Sequence, residues 1–388
     1  MKVGRVAKID ICALGIYVLI NTLFVYKYSS RIIQYPWMTV LLYIVSIYLV
    51  ILLLIKKYKC KLSQKKQNVI YFSTTVILSI LLTLLMIRFD PQTIRVGRYP
   101  ALFDWINRLL NSEFPYDSSS NPSGFPFLFV LAIPFYLLGD VGYLQIFGFI
   151  TFAFLVYYRH CHCSENRFRV LILLITSPIF MYEIVVRSEL FTNIVLILLY
   201  LGLFEKVKRD ESRLVVFLLG TIGGFLLSTR GIVFLIYLTY FGFLLKEKII
   251  THISFFIFLC AGFLFTLLPF LVWNWRYFIQ FGPFAIQLSY VPLWLLILSI
   301  VVSVSCALKI ESLGGIYSAV SFILFGVVFV PFIVAVLNEG WNEIVLGNGF
   351  DISYFCFTLP FTLISIDFGE TTHSVANKFF TVHTRPHR

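Results

Sequence analysis

The chain has 388 residues, 59% of them hydrophobic and only 13% charged, against about 25% charged in an ordinary soluble domain. A water-soluble fold of this size has no way to cover so much apolar surface, and no stretch is polar enough to hold a separate soluble domain. The net charge of +12 does not describe a nucleic-acid-binding face, because the cations fall in short clusters between apolar runs, where topology signals sit.

Apolar runs predict spans near 10–26, 36–55, 69–88, 142–158, 169–186, 190–205, 213–229, 231–245, 252–274, 286–308, 313–337 and 351–367. A crossing takes about 20 apolar residues, so the sequence reads as an all-α, polytopic integral membrane protein. About twelve transmembrane helices form one domain over 1–388, with interfacial helices in a long outer loop. The first run follows Lys2, Arg5 and Lys8 but lacks a small-residue cleavage site, and reads as an uncleaved helix. The run Phe125–Leu138 is short, is bounded by Gly124 and Gly139 and contains Pro126 and Pro134, which suits an interfacial or re-entrant helix.

The positive-inside rule arbitrates this run. If it does not cross, Lys and Arg divide 22 inside against 9 outside; if it does, they divide 12 against 19. The first arrangement puts both termini in the cytoplasm, leaves a cytoplasmic tail at 370–388 and makes residues 89–141 the extracytoplasmic loop. The absence of an Asn-x-Ser/Thr acceptor (Asn121 precedes Pro122) accords with a bacterial inner membrane. Seven cysteines, mostly inside apolar segments, make no disulfide framework. His160-Cys161-His162-Cys163 lacks the second ligand pair of a zinc site and reads as a plain basic loop, so no metal is assigned.

The outer loop collects the unusual chemistry. Asp90 follows the third span, where Pro91 stops the helix, and a carboxylate at that boundary is a candidate general base. Arg95-Val96-Gly97-Arg98-Tyr99-Pro100 comes next, then an amphipathic stretch whose apolar positions 102, 105, 106, 109 and 110 keep helical spacing. Phe103 and Trp105 suit the headgroup layer, and Asp104 stands four residues before Arg108, a pairing distance. Further outer positions bring Arg187-Ser188-Glu189 and Ser228-Thr229-Arg230-Gly231 to helix ends. Guanidinium groups match phosphate oxygens in a two-pronged fashion, so Arg95, Arg98, Arg187 and Arg230 are candidate partners of a lipid phosphate.

Asp90 outside an early span, the long outer loop, the Pro-containing run Ser123-Gly124-Phe125-Pro126-Phe127-Leu128-Phe129 and Arg187-Ser188-Glu189 together resemble the GT-C superfamily of polytopic glycosyltransferases. That resemblance implies a polyprenyl-phosphate-linked sugar as donor, a glycan or lipid-linked acceptor at the outer face, and inverting transfer without an assigned cofactor. It implies Asp90 as base with Asp104 in reserve, and Arg95, Arg98, Tyr99, Arg187, Glu189 and Arg230 as substrate-binding residues. The alternative is a multi-pass transporter or flippase of a lipid-linked saccharide, for which no paired half-repeat is visible.

Overall fold

The computed structural model describes residues 3–55, 63–94, 98–160, 164–207, 212–247, 253–347 and 349–366, and every regular element among them is a helix. In chain order these are α1 (Val3–Ser29), α2 (Pro36–Ile55), α3 (Gln64–Arg88), α4 (Pro91–Ile94), α5 (Arg98–Leu110) and α6 (Pro126–Leu137). There follow α7 (Tyr143–Arg159), α8 (Ser164–Ile175), α9 (Pro178–Val185), α10 (Leu190–Val207), α11 (Arg213–Leu227) and α12 (Val233–Lys246). The last are α13 (Ile253–Gln280), α14 (Pro283–Tyr290), α15 (Leu293–Lys309), α16 (Leu313–Glu339) and α17 (Leu359–Ser365), the last preceded by a 3₁₀ turn at Ile352–Phe357.

Among the described residues, six helices are long and apolar enough to cross a membrane: α1, α2, α3, α10, α13 and α16. A seventh candidate is α8 with α9, bent by 63° where Pro178 opens α9 and cannot continue the preceding hydrogen-bond ladder. The chain is therefore a multi-pass, all-helical membrane protein. Among the shorter apolar helices, α7, α11, α12 and α15 have 14–17 residues, about 21–26 Å at 1.5 Å per residue against about 30 Å of hydrocarbon. Their lengths alone do not make them crossings, so the count of twelve is not reached by this measure.

α10 is the axial helix, with Phe191, Ile194, Val195, Ile197 and Leu201 fully buried. α2 is the opposite case, exposing Leu41, Leu42, Val45, Tyr48 and Leu49 along one side. In lipid such a face needs no cover, because the solvent is as apolar as leucine. α11 and α13 approach closely because both carry glycine where they meet. A Cβ on Gly224 would stand 2.1 Å from the Leu259 carbonyl oxygen, and one on Gly262 2.6 Å from that of Thr221.

Side-chain contacts tie the loops into two ends. At one, Arg167 donates to Asn68 (2.7 Å) and to the His160 carbonyl (2.9 Å), Lys246 donates to the Ile310 carbonyl (2.9 Å) and Lys206 lies over the Tyr158 ring. At the other, the end of α3, the α9–α10 turn, the α11–α12 turn and both ends of α6 meet. The α6 N-terminus is held by Phe125 N–H to the Thr229 carbonyl (3.1 Å) and Phe127 N–H to that of Ser228 (3.0 Å). α6 leads back to Asp140, beside Arg187. Both ends of this Pro-containing helix thus belong to the same end of the bundle.

α5 departs from the sequence expectation in one respect. Trp105 does not sit in a headgroup layer: it is fully buried, stacked on Phe129 of α6 at 4.5 Å between ring centroids. The amphipathic face covers α6, which buries more apolar area than an interfacial position would.

Candidate functional site

The end where α6 is anchored holds an unusual density of buried charge. Glu189 stands immediately before α10, and Arg230 closes the α11–α12 turn, which brings the two into a buried ion pair. Arg230 also donates to Ser123 Oγ (2.7 Å). Gln287 of α14 clamps the same corner, accepting from Gly231 N–H (2.7 Å) and donating to the Ser123 carbonyl (2.6 Å).

A second pair lies across the site. Arg98, at the start of α5, donates to Asp351 Oδ2 (2.5 Å) and Ser353 Oγ (2.9 Å) and stacks on the Tyr354 ring, 4.4 Å from its centroid. Asp351 caps the 3₁₀ turn by accepting from Ser353 N–H (3.0 Å). Burial alone would raise its carboxyl, but the Arg98 guanidinium and the Ser353 hydrogen bonds outweigh this and hold it below the usual carboxylate range.

Arg230 and Asp351 both line a cavity of about 550 Å³, whose other walls are mainly apolar and aromatic, among them Phe125, Phe284, Tyr290, Val328 and Tyr354. A cavity of this size suits a small-molecule ligand or the head of a lipid. Behind it lies a set of buried polar atoms with unused hydrogen-bonding capacity. Among the described residues, both amide atoms of Asn193 and Glu189 Oε2 have no hydrogen-bond partner, and the buried carboxyl of Glu183 has at most the Ser188 hydroxyl. Such groups cost free energy in a fold, and their concentration beside one cavity marks it as the place where the chain departs from optimal packing.

The predicted residues distribute unevenly around this cavity. Arg230 lines it, and Glu189 and Arg98 hold its wall through their ion pairs. Asp90, the expected base, is exposed and is not among the lining residues, because the chain re-enters a short helix at Pro91 and leaves the carboxylate outside. The carboxylate that does face the cavity is Asp351. Asp104 accepts from Ser118 Oγ (3.4 Å) and Ser120 Oγ, while Arg108 turns to Glu113 (3.5 Å) and Asp117 (3.9 Å) instead of Asp104. Arg95 lies outside the described residues, as do Cys161, His162 and Cys163.

Arg187 has a structural assignment. Its Nε donates to both carboxylate oxygens of Asp140 (3.0 and 2.8 Å), and its terminal nitrogens donate to the Phe89 (3.0 Å) and Met86 (3.1 Å) carbonyls at the end of α3. It also packs 5.8 Å from the Tyr99 ring centroid. This guanidinium caps α3 and has little capacity left for a phosphate. Gly142 makes the contact feasible, since a Cβ there would lie 2.6 Å from Arg187 Cγ and 2.4 Å from Met86 Sδ.

Asp140 and Asp351 escaped the sequence reading. Each left a local trace: Gly139-Asp140-Val141-Gly142 is a turn, and Asp351-Ile352-Ser353 has the side-chain-to-backbone spacing of a helix cap.

No protein family, no curated protein and no solved structure matches this chain. Fold and site define a class: a multi-pass helical membrane protein with a partly charged cavity at one end of its bundle.

Proposed function

We propose that the protein transfers a sugar from a polyprenyl-phosphate donor to a lipid-linked or cell-surface glycan acceptor, at the outer face of the membrane, on a bundle of twelve crossings. One observation carries this reading: a mainly apolar cavity with a guanidinium, Arg230, and a carboxylate, Asp351, in its wall. An amphipathic ligand with an anionic head fits those walls, and a wholly soluble or wholly apolar ligand does not.

In the reaction, Arg230 binds the donor phosphate and stabilises the charge that grows on it as the anomeric C–O bond breaks. The electron pair of that bond leaves with the phosphate. An acceptor hydroxyl attacks the anomeric carbon from the opposite face, forming the new C–O bond with inversion, and its proton passes to the Asp351 carboxylate. Asp351 Oδ2 accepts only from Arg98 among the described hydrogen bonds, which leaves it a lone pair for the proton. Arg98 and Ser353 orient the carboxylate, while Glu189 and Ser123 orient Arg230.

The test is turnover by purified protein in detergent, offered a panel of polyprenyl-phosphate sugars with cell-envelope glycolipid extract as acceptor. Release of polyprenyl phosphate by the wild type, reduced at least a hundredfold in Asp351→Asn and Arg230→Gln, is the expected outcome. The transporter alternative predicts no chemistry in detergent and movement of the intact lipid-linked sugar across sealed vesicles.

A further inference from the structure

A second space lies alongside the first. α15 and α16, consecutive in the chain, splay apart to leave a cleft of about 460 Å³, walled by Leu298, Ser299 and Val302 on one side and Phe322, Gly326 and Val327 on the other. We propose that this cleft seats one hydrocarbon chain of the lipid whose anionic head lies at Arg230. The proposal rests on the phosphate reading above and adds where the tail runs.

Three observations carry it. The first is shape. The cleft follows α15 from Leu295 to Ile310, about 22 Å at 1.5 Å per residue, between mainly apolar side chains, and so has the elongated apolar form of an extended hydrocarbon chain. The second is continuity. Val327 borders both the cleft and the cavity that holds Arg230, and the buried cluster of Leu235, Ile323 and Val327 floors the junction between them. A chain leaving the cavity passes over Val327 into the cleft without crossing a polar group of that cluster. The third is the head site. Arg230 lines the cavity, and its two terminal nitrogens spend one N–H each on Ser123 and Glu189, so each keeps a second N–H for an anionic group at the top of the cleft.

Gly326 offers a clean test, because a Cβ added there meets nothing within 4 Å. Gly326→Phe therefore starts from open space and puts a ring into the cleft, and Ser299→Leu narrows it from the facing wall. Binding to purified full-length protein is measured for a long-chain polyprenyl monophosphate, for geranyl phosphate and for inorganic phosphate. Wild type is expected to bind the long chain about tenfold or more tighter than geranyl phosphate, since each buried methylene adds to affinity. Gly326→Phe and Ser299→Leu are expected to erase about tenfold of that advantage and to leave geranyl phosphate binding unchanged. Unaltered long-chain affinity in both variants overturns the cleft while leaving the head site standing, and an equal loss for both prenyl phosphates does the same. Failure of both prenyl phosphates to bind wild type, or affinity for all three probes that is indifferent to Arg230→Gln, overturns the phosphate reading and the cleft with it.

Discussion

At the scale of single residues, Arg187 and Arg230, both candidate phosphate partners in the sequence, are each paired with a carboxylate, yet of the two only Arg230 lines the cavity. Arg187 is spent on the fold: it holds Asp140 and the last carbonyls of α3 from a left-handed backbone conformation, φ +54°, that a non-glycine residue adopts at a cost. Arg187→Ala leaves Asp140 unpaired and α3 uncapped, and is expected to lower stability by about 3–5 kcal/mol, read as a fall in melting temperature in detergent. Arg187→Lys recovers little, because an ammonium cannot serve a carboxylate and two carbonyls in one plane. Asp351 gives a pH signature. Its folded carboxyl titrates below the ordinary value of 3.8, so the stability it contributes is fully present above that value and fades as pH falls through the lower, folded one. The acid limb of a melting-temperature profile below about pH 4 is therefore expected to be shallower in Asp351→Asn than in wild type. Glu183 shows the reverse case: Glu183→Gln keeps the shape and removes an ionisable group that is fully buried, and is expected to raise the melting temperature by a few degrees.

At the scale of elements, hydropathy was the legible part, because a membrane span is defined by length and apolar content. The predicted runs 190–205 and 313–337 fall within α10 and α16, and the short run after Gly124 is a helix, α6, of twelve residues. What periodicity could not tell is which polar solvent or protein surface an amphipathic face would meet. Trp105 keeps helical spacing in either case, and only the presence of Phe129 opposite it decides for burial. The site suffered the same ambiguity. Asp90 and Asp351 each sit at the edge of an apolar run, and whether either faces a cavity depends on contacts across some 250 residues of chain, such as Arg98 to Asp351. The glycines of α11 and α13 are a comparable case: they are ordinary in sequence, yet Gly224 admits no side chain against the Leu259 carbonyl. Gly224→Leu is expected to separate the two helices, with a loss of folded protein on size-exclusion chromatography in detergent and a shift of the Arg230 turn that α11 carries.

At the scale of the whole molecule, the distribution of charge makes a claim about sidedness. The end bearing Arg167, Lys206 and Lys246 carries cations that engage carbonyls, amides and aromatic rings and, in Lys246 with Glu247 and Arg169 with Glu165, neighbouring carboxylates. The opposite end carries the carboxylate-paired arginines Arg98, Arg187 and Arg230. Because Lys and Arg resist translocation in short loops, the first end is expected on the cytoplasmic side and the cavity on the outer side. In a cysteine-free background, Glu113→Cys on the α5–α6 connection should react with a membrane-impermeant maleimide in intact cells, since Glu113 is exposed. Glu247→Cys and Glu311→Cys, exposed next to α12 and α16, should react only after permeabilisation. Reaction of Glu247→Cys and Glu311→Cys from outside, with Glu113→Cys reacting only after permeabilisation, would invert the bundle. The donor lipid would then have to reach Arg230 from the cytoplasmic leaflet, and transfer to a surface glycan would require a separate step to carry the product across.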